Sequence, residues 1–144
     1  MLGVSTSAKE ERGLQAEKKV LQNLKYHQRK KTEFPGGRMI KEFISNIHFS
    51  QDDQEGKDII VKFQIKFQPD IEVLPIQVQN WWTGEVEEEY RKKGICLIAI
   101  WLADQDGKLK MPDQIKKEAR ERTFDTISKW FLRIEKEKEV SSLS

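Results

Sequence analysis

A run of nine uncharged residues constrains the fold of this chain more than any other feature. The run, residues 95–103 (ICLIAIWLA), stands in a sequence of 144 residues of which 35% are charged. It is far shorter than the roughly 20 apolar residues of a membrane span. Its length and β-branched content are typical of an inner strand that is covered on both faces. The chain is therefore expected to form a sheet with helices on both sides.

Hydrophobic periodicity predicts the other elements. From residue 58 to Phe67, apolar side chains occupy every second position, which is the period of a half-buried strand. The predicted elements are, in chain order, a helix over 8–30, a short strand over 39–44, a hairpin over 58–79, a helix over 83–93, the uncharged strand and a long helix over 113–138. This order indicates an α/β fold, with one mixed sheet flanked by helices in a single domain spanning residues 1–144.

Charge is distributed unevenly along the chain, although the net charge is only +2. Residues 1–44 carry ten basic and five acidic groups, residues 45–107 carry six and twelve, and residues 108–144 carry ten and seven. Basic ends around an acidic middle suit a protein that binds a polyanion while its carboxylates gather near a metal ion. They equally suit a protein whose helices and strands pair their charges with one another.

The cysteine count and the first residues bear on the cellular compartment. Cys96 is the sole cysteine, which excludes an internal disulfide and any multi-cysteine zinc site. The first 13 residues show no basic segment followed by an apolar one, as a secretory signal would. We therefore expect a cytoplasmic protein with no membrane partner.

Glu17 occupies an unusual position on the first predicted helix. On a helical wheel, Leu14, Val20, Leu21 and Leu24 form one apolar face, and Glu17 lies at its centre. Burying an ionised carboxylate is costly without a compensating partner. Either Glu17 forms a salt bridge, or the face is less buried than the pattern indicates, or the carboxylate has a binding role.

Polar side chains also mark the predicted hairpin. Asp58 opens its first strand, and Gln77 and Gln79 point to the same side of its second strand. Three polar groups at neighbouring positions indicate a polar pocket. The alternatives are that Asp58 caps a turn and that the two glutamines lie on a solvated face.

Three short motifs occur in order: GLQAE at 13–17, GKDII at 56–60 and PIQVQN at 75–80. Together they resemble the GxxAE, GxD and (E/Q)xK motifs of the PD-(D/E)xK nuclease superfamily, most closely its Holliday-junction-resolvase-like and small-endonuclease branches. The resemblance covers roughly residues 10–103 and includes the order of the elements. It implies a restriction-endonuclease-like core followed by the long C-terminal helix.

The resemblance also implies an activity, namely metal-dependent endonucleolytic hydrolysis of DNA with Mg²⁺ or Mn²⁺. The implied catalytic residues are Glu17, Asp58, Gln77 and Gln79, of which the first three would hold the ion. Gln79 departs from the family, since it stands where the motif has a lysine and brings no positive charge. One hypothesis is that Lys62, on the strand face of Asp58, supplies that charge.

Two further functions stay open at this stage. A protein that has kept the fold but lost the chemistry would bind nucleic acid or serve as an assembly module. A structural α/β interaction module would match the motifs by accident. We expect Asp58→Asn to abolish cleavage in the enzyme and to leave nucleic-acid affinity intact in the binding protein.

The expected partners are DNA and a second copy of the chain, through the long C-terminal helix. Basic side chains would contact phosphates and a tryptophan pair would stack on bases, although a helix dipole or simple packing also accounts for them. These residues are Arg29, Lys30, Lys31, Lys62, Trp81 and Trp82. A second basic cluster lies on the last helix at Lys116, Lys117, Arg120 and Arg122.

Overall fold

The computed structural model describes residues 8–45, 58–80 and 84–143. In these ranges it contains three helices and four strands. Their bounds are α1 (Ala8–Lys30), β1 (Arg38–Ser45), β2 (Ile59–Ile65), β3 (Ile71–Gln79), α2 (Gly84–Lys92), β4 (Cys96–Ala99) and α3 (Pro112–Leu143). The order β1-β2-β3-β4 is also the order in the sheet.

The sheet is mixed, which confirms the predicted α/β class. β2 runs antiparallel to both β1 and β3, and β4 runs parallel to β3 after the crossover through α2. One prediction is wrong: among the described residues β4 is an edge strand, not an inner one. Its four residues are nevertheless buried, because α2 and α3 both contact it. The apolar run is therefore explained by the helices that cover β4 and not by a neighbouring strand on each side of it.

The hairpin of β2 and β3 has the predicted alternation. Val61 and Phe63 are buried and Lys62 between them is half-buried, while Leu74 on β3 pairs with Val61. The alternation does not extend to Phe67, which is 95% exposed. β2 ends at residue 65, and Phe67 adopts a left-handed φ of 64° in the turn that follows. A turn backbone no longer alternates its side chains between two faces.

The core lies between the sheet and the helices α1 and α3. On α1 the buried stripe contains Ala16, Val20 and Leu24, whereas Leu14 is 52% exposed. The stripe is rotated from the predicted one because α1 packs against α3 as well as against β1 and β3. Glu17 consequently lies at the edge of the buried stripe rather than at its centre.

Among the described residues, Arg38 is the largest fully buried side chain, and no pattern in the sequence marks it. Its guanidinium donates from Nε and Nη2 to the two carboxylate oxygens of Glu72 on β3, over 2.5 and 2.9 Å. Nη1 donates to Glu135 on α3 over 2.7 Å and to the carbonyl oxygen of Pro35 over 3.0 Å. The guanidinium carbon also lies 4.4 Å from the ring centroid of Phe131. One side chain thus connects β1, β3 and α3.

Residues 34–37 form a tight turn that delivers Arg38 to this position. The backbone amide of Phe34 donates to the carbonyl oxygen of Arg38 over 2.7 Å. Gly36 has a φ of 80°, and a Cβ atom there would lie 2.1 Å from Nη1 of Arg38. A residue without a side chain is therefore required beside the buried guanidinium.

We expect Arg38→Ala to lower the free energy of unfolding by about 3 kcal/mol, because it leaves two inward carboxylates without their shared cation. Lys66→Ala, which removes an exposed partner of Glu33, is the control and should cost about 0.5 kcal/mol or less. Urea denaturation at neutral pH measures both values. Equal losses for the two variants would contradict a central role for Arg38.

Candidate functional site

The site is built around Glu17, which is half-buried at the edge of the core-facing side of α1. Two effects raise the pKa of its carboxyl from 4.5 to about 7. Burial is the larger effect, and the negative charge of Asp58 is the smaller one. An electrostatic effect of this kind requires the two carboxylates to lie within interaction range of each other, although they are far apart in the sequence.

Asp58 immediately precedes β2 and is fixed against β3. Its backbone amide donates to the carbonyl oxygen of Ile76 over 2.7 Å, and its Oδ2 accepts from the amide of Val78 over 2.8 Å. Burial raises the pKa of the Asp58 carboxyl, and the Val78 hydrogen bond partly opposes that rise. A turn-capping Asp58 would accept a hydrogen bond from a residue of its own turn. The bond from Val78 is of a different kind, because its donor belongs to the neighbouring strand β3.

The two carboxylates have no cationic partner among the residues that the structure describes. No ion pair there involves Glu17 or Asp58, and no basic side chain lowers the pKa of either carboxyl. The predicted alternative of a salt bridge at Glu17 is therefore absent from the described part of the chain. Two neighbouring acids without a counter-charge repel each other, and a bound cation would relieve that repulsion.

Gln77 and Gln79 flank Val78, the residue that binds Asp58. Val78 is buried toward the core, and both glutamines are half-buried on the other side of β3, as the alternation predicts. Oε1 of Gln79 is buried and has no hydrogen-bond partner in the described structure. A buried amide oxygen without a donor is costly, so this atom favours a ligand or water that donates to it.

The donor set determines which metal the residues fit. No group of three or more His, Cys, Asp and Glu side chains that could hold a metal occurs among the described residues. A structural zinc site needs four such ligands. Mg²⁺ and Mn²⁺ instead accept one or two carboxylates and complete their coordination with amide oxygens, water and phosphate. Glu17, Asp58 and the amide of Gln77 fit that requirement.

Lys62 does not lie beside the carboxylates. Its Nζ is 3.1 Å from Oε1 of Glu42 on β1. It also follows Asp58 by four residues, a distance of about 13 Å along a strand. The hypothesis that Lys62 replaces the motif lysine therefore gains no support from its contacts.

The other predicted nucleic-acid contacts lie apart from the carboxylates. Arg29, Lys30 and Lys31 are exposed at the end of α1, about 18 Å along the helix from Glu17. Trp81 and Trp82 lie outside the described residues. Sequence reasoning missed Val78, whose contribution is a backbone amide that any residue type except proline would supply.

Comparisons with known proteins add no family to this picture. No protein-family model matches the chain, and neither a curated protein nor a solved structure matches it. In the described ranges, no helix is long and apolar enough to cross a membrane. The cytoplasmic location, the DNA partner and the homodimer through α3 stay predictions.

The raised pKa of Glu17 predicts a pH-dependent stability. Between its ordinary value of 4.5 and about 7 the folded state binds more protons than the unfolded state, so the contribution of Glu17 to stability falls as the pH rises. As the pH rises from about 5 to about 8 in the absence of divalent ions, the free energy of unfolding of Glu17→Gln should increase by about 1 kcal/mol relative to that of wild type. This figure allows for solvent screening of the half-buried carboxyl.

Urea denaturation at both pH values measures this difference. Burial and the charge of Arg120 lower the pKa of His27, so its contribution to stability rises with pH. This contribution is the same in wild type and in Glu17→Gln and cancels in the comparison. Glu33→Gln removes an exposed carboxyl and is the matched control. A difference between Glu17→Gln and wild type that does not change with pH would show that Glu17 is not held near Asp58.

Proposed function

We propose that this protein is a metal-dependent endonuclease of the PD-(D/E)xK type that hydrolyses phosphodiester bonds in DNA. One observation carries the proposal: Glu17 and Asp58 interact electrostatically, and neither has a cationic partner among the described residues. Asp58 is hydrogen-bonded to β3, the strand that bears Gln77 and Gln79. The motifs that carry these residues are distant in sequence, and the effect of Asp58 on Glu17 together with the Asp58–Val78 hydrogen bond supports a common site.

The topology supports the same proposal. A helix, three antiparallel strands, a crossover helix and a strand parallel to the third follow one another in the order that the resemblance implies. A mixed α/β sheet by itself is compatible with many functions. The restriction-endonuclease-like core is therefore part of the proposal, and the meeting of the carboxylates is the more specific support.

Each residue has a defined task in this proposal. Glu17 and Asp58 would hold the ion through carboxylate oxygens, with the Gln77 amide oxygen as a third protein ligand. The ion would neutralise charge on the phosphoryl group and promote ionisation of a water molecule. The Val78 amide keeps Asp58 in one orientation, and Oε1 of Gln79, which has no described partner, would accept a hydrogen bond from a water molecule and position it. Hydrolysis then adds this water across one P–O bond.

A second candidate is a binding protein that has lost the chemistry. This candidate is favoured because, among the described residues, no ammonium group is paired with Glu17 or Asp58. Gln79 is neutral, and Lys62 is paired with Glu42. Preorganised positive charge at a reacting phosphate is worth about two orders of magnitude or more in rate. Such a protein would retain DNA binding or an assembly role without cleavage.

Cleavage of plasmid and branched DNA with Mn²⁺ or Mg²⁺ tests the two candidates. Asp58→Asn should reduce the cleavage rate at least 100-fold, because it removes the negative charge of a proposed ion ligand. Asp70→Asn, in the exposed turn after β2, is the matched control and should cleave like wild type. DNA binding by wild type without any cleavage would instead support the binding protein.

The neutral Gln79 permits a gain-of-function test. We expect Gln79→Lys to raise the cleavage rate at least tenfold, because it places an ammonium where the motif has one. Asn80→Lys adds the same charge one residue later, so its side chain starts from the other side of the chain, and it is the matched control. An equal increase for both variants would indicate stronger DNA attraction alone and would contradict the role assigned to Gln79.

A further inference from the structure

A cavity of about 310 Å³ lies between α2, β4 and the middle of α3. The cavity is large enough for a small organic ligand. Glu17 and Asp58 do not line it, so it is distinct from the carboxylate site.

The charge of this cavity is predominantly positive. Four basic side chains line it, against the single carboxylate of Glu87. The basic residues are Arg91, Arg122, Lys129 and Arg133. Arg91 is also paired with Glu88, the neighbour of Glu87. The remaining excess of cations favours an anionic ligand over a neutral one.

Two tryptophans add aromatic surface to the cavity. Trp101 and Trp130 are half-buried and line its wall. The guanidinium carbon of Arg122 lies 3.9 Å from the ring centroid of Trp101, a stacked arrangement. Stacking occupies the face of a guanidinium and leaves its N–H donors in the plane for a phosphate. Aromatic rings beside such donors suit a ligand that combines a phosphate with a base.

The open edge of β4 contributes backbone donors. The amide of Ile100 donates to Gln79 on β3 over 2.9 Å. Because backbone groups alternate along a strand, the amides of Leu97 and Ala99 point the other way, toward the open edge, and both residues line the cavity. An adjacent groove beyond Trp101 shares Arg122 and Lys129 with the cavity and adds the carboxylates of Glu118, Glu121 and Asp125. Arg91 and Arg133 line the cavity but not that groove, so the basic charge farthest from these acids lies on the β4 side.

We propose that this cavity binds a nucleotide, either a free mononucleotide or a nucleotide of a nucleic acid, with its phosphate at Arg122, Lys129 and Arg133 and its base against the tryptophans. The inference does not rest on hydrolysis at the carboxylate pair. It assigns a ligand to a surface that the motifs do not include.

Binding of AMP and of a 12-residue oligothymidylate tests the proposal, by calorimetry with the full chain. The double variant Lys129→Gln/Arg133→Gln should weaken binding of the preferred ligand at least tenfold. Lys136→Gln/Lys138→Gln removes the same charge from exposed positions on the same helix that do not line the cavity, and is the matched control. Its affinity should change less than twofold.

The outcomes separate the two sources of the nucleotide. Saturable AMP binding that the oligonucleotide does not exceed would indicate a free nucleotide. Much tighter oligonucleotide binding, with a salt dependence that the double variant reduces, would indicate a nucleic acid. Binding of neither ligand, or equal losses in both double variants, would overturn the proposal.

The nuclease proposal and this one fail in different ways. Glu17→Gln/Asp58→Asn should leave AMP binding unchanged, because neither residue lines the cavity. Loss of cleavage with normal AMP binding would therefore concern the carboxylate site only. Normal cleavage of DNA without AMP or oligonucleotide binding at the cavity would leave the nuclease proposal intact and refute this one.

Discussion

The buried guanidinium of Arg38 is the interaction on which the rest of the structure depends. A charge that is 1% exposed is tolerable only when its donors are satisfied, and Glu72 and Glu135 satisfy them from two other elements. The hydrogen bond to Arg38 holds the pKa of Glu72 below its ordinary value. Since Arg38 and Glu135 are 97 residues apart, this contact forms only when α3 docks on the sheet. The position of β3, and with it the candidate site, follows from that docking.

The carboxylates of Glu17 and Asp58 represent the opposite electrostatic condition. Around Arg38 two acids share one cation, whereas in the described structure these two acids share none. The fold tolerates the repulsion because the Val78 amide stabilises Asp58 and because Glu17 keeps partial contact with solvent. Among the described residues, this uncompensated pair is therefore the place where a cation would relieve the repulsion.

Much of the fold was predictable because burial leaves a periodic pattern in the sequence. The alternation through Val61 and Phe63 predicted β2, and helix-forming composition predicted α1 to within its bounds. Position in the sheet was not predictable, because the apolar residues of β4 are covered by helices instead of a further strand. Arg38 escaped detection since a buried arginine has no sequence signature. The pairing of Glu17 with Asp58 was expected from motif resemblance, but the rotation of α1 that places Glu17 at the rim depends on how α3 packs.

The edge position of β4 has a consequence for solubility. The helices α2 and α3 cover the side chains of β4, but its outer edge pairs with no described strand. Apolar segments such as residues 95–103 readily add to one another in aggregates at such edges. Arg91, Arg122 and Arg133 surround this edge, so a second copy approaching it would bring its own arginines against them. Like charges at this edge act as gatekeepers that disfavour strand addition between copies. The same arginines that give the cavity its charge thus disfavour aggregation through β4.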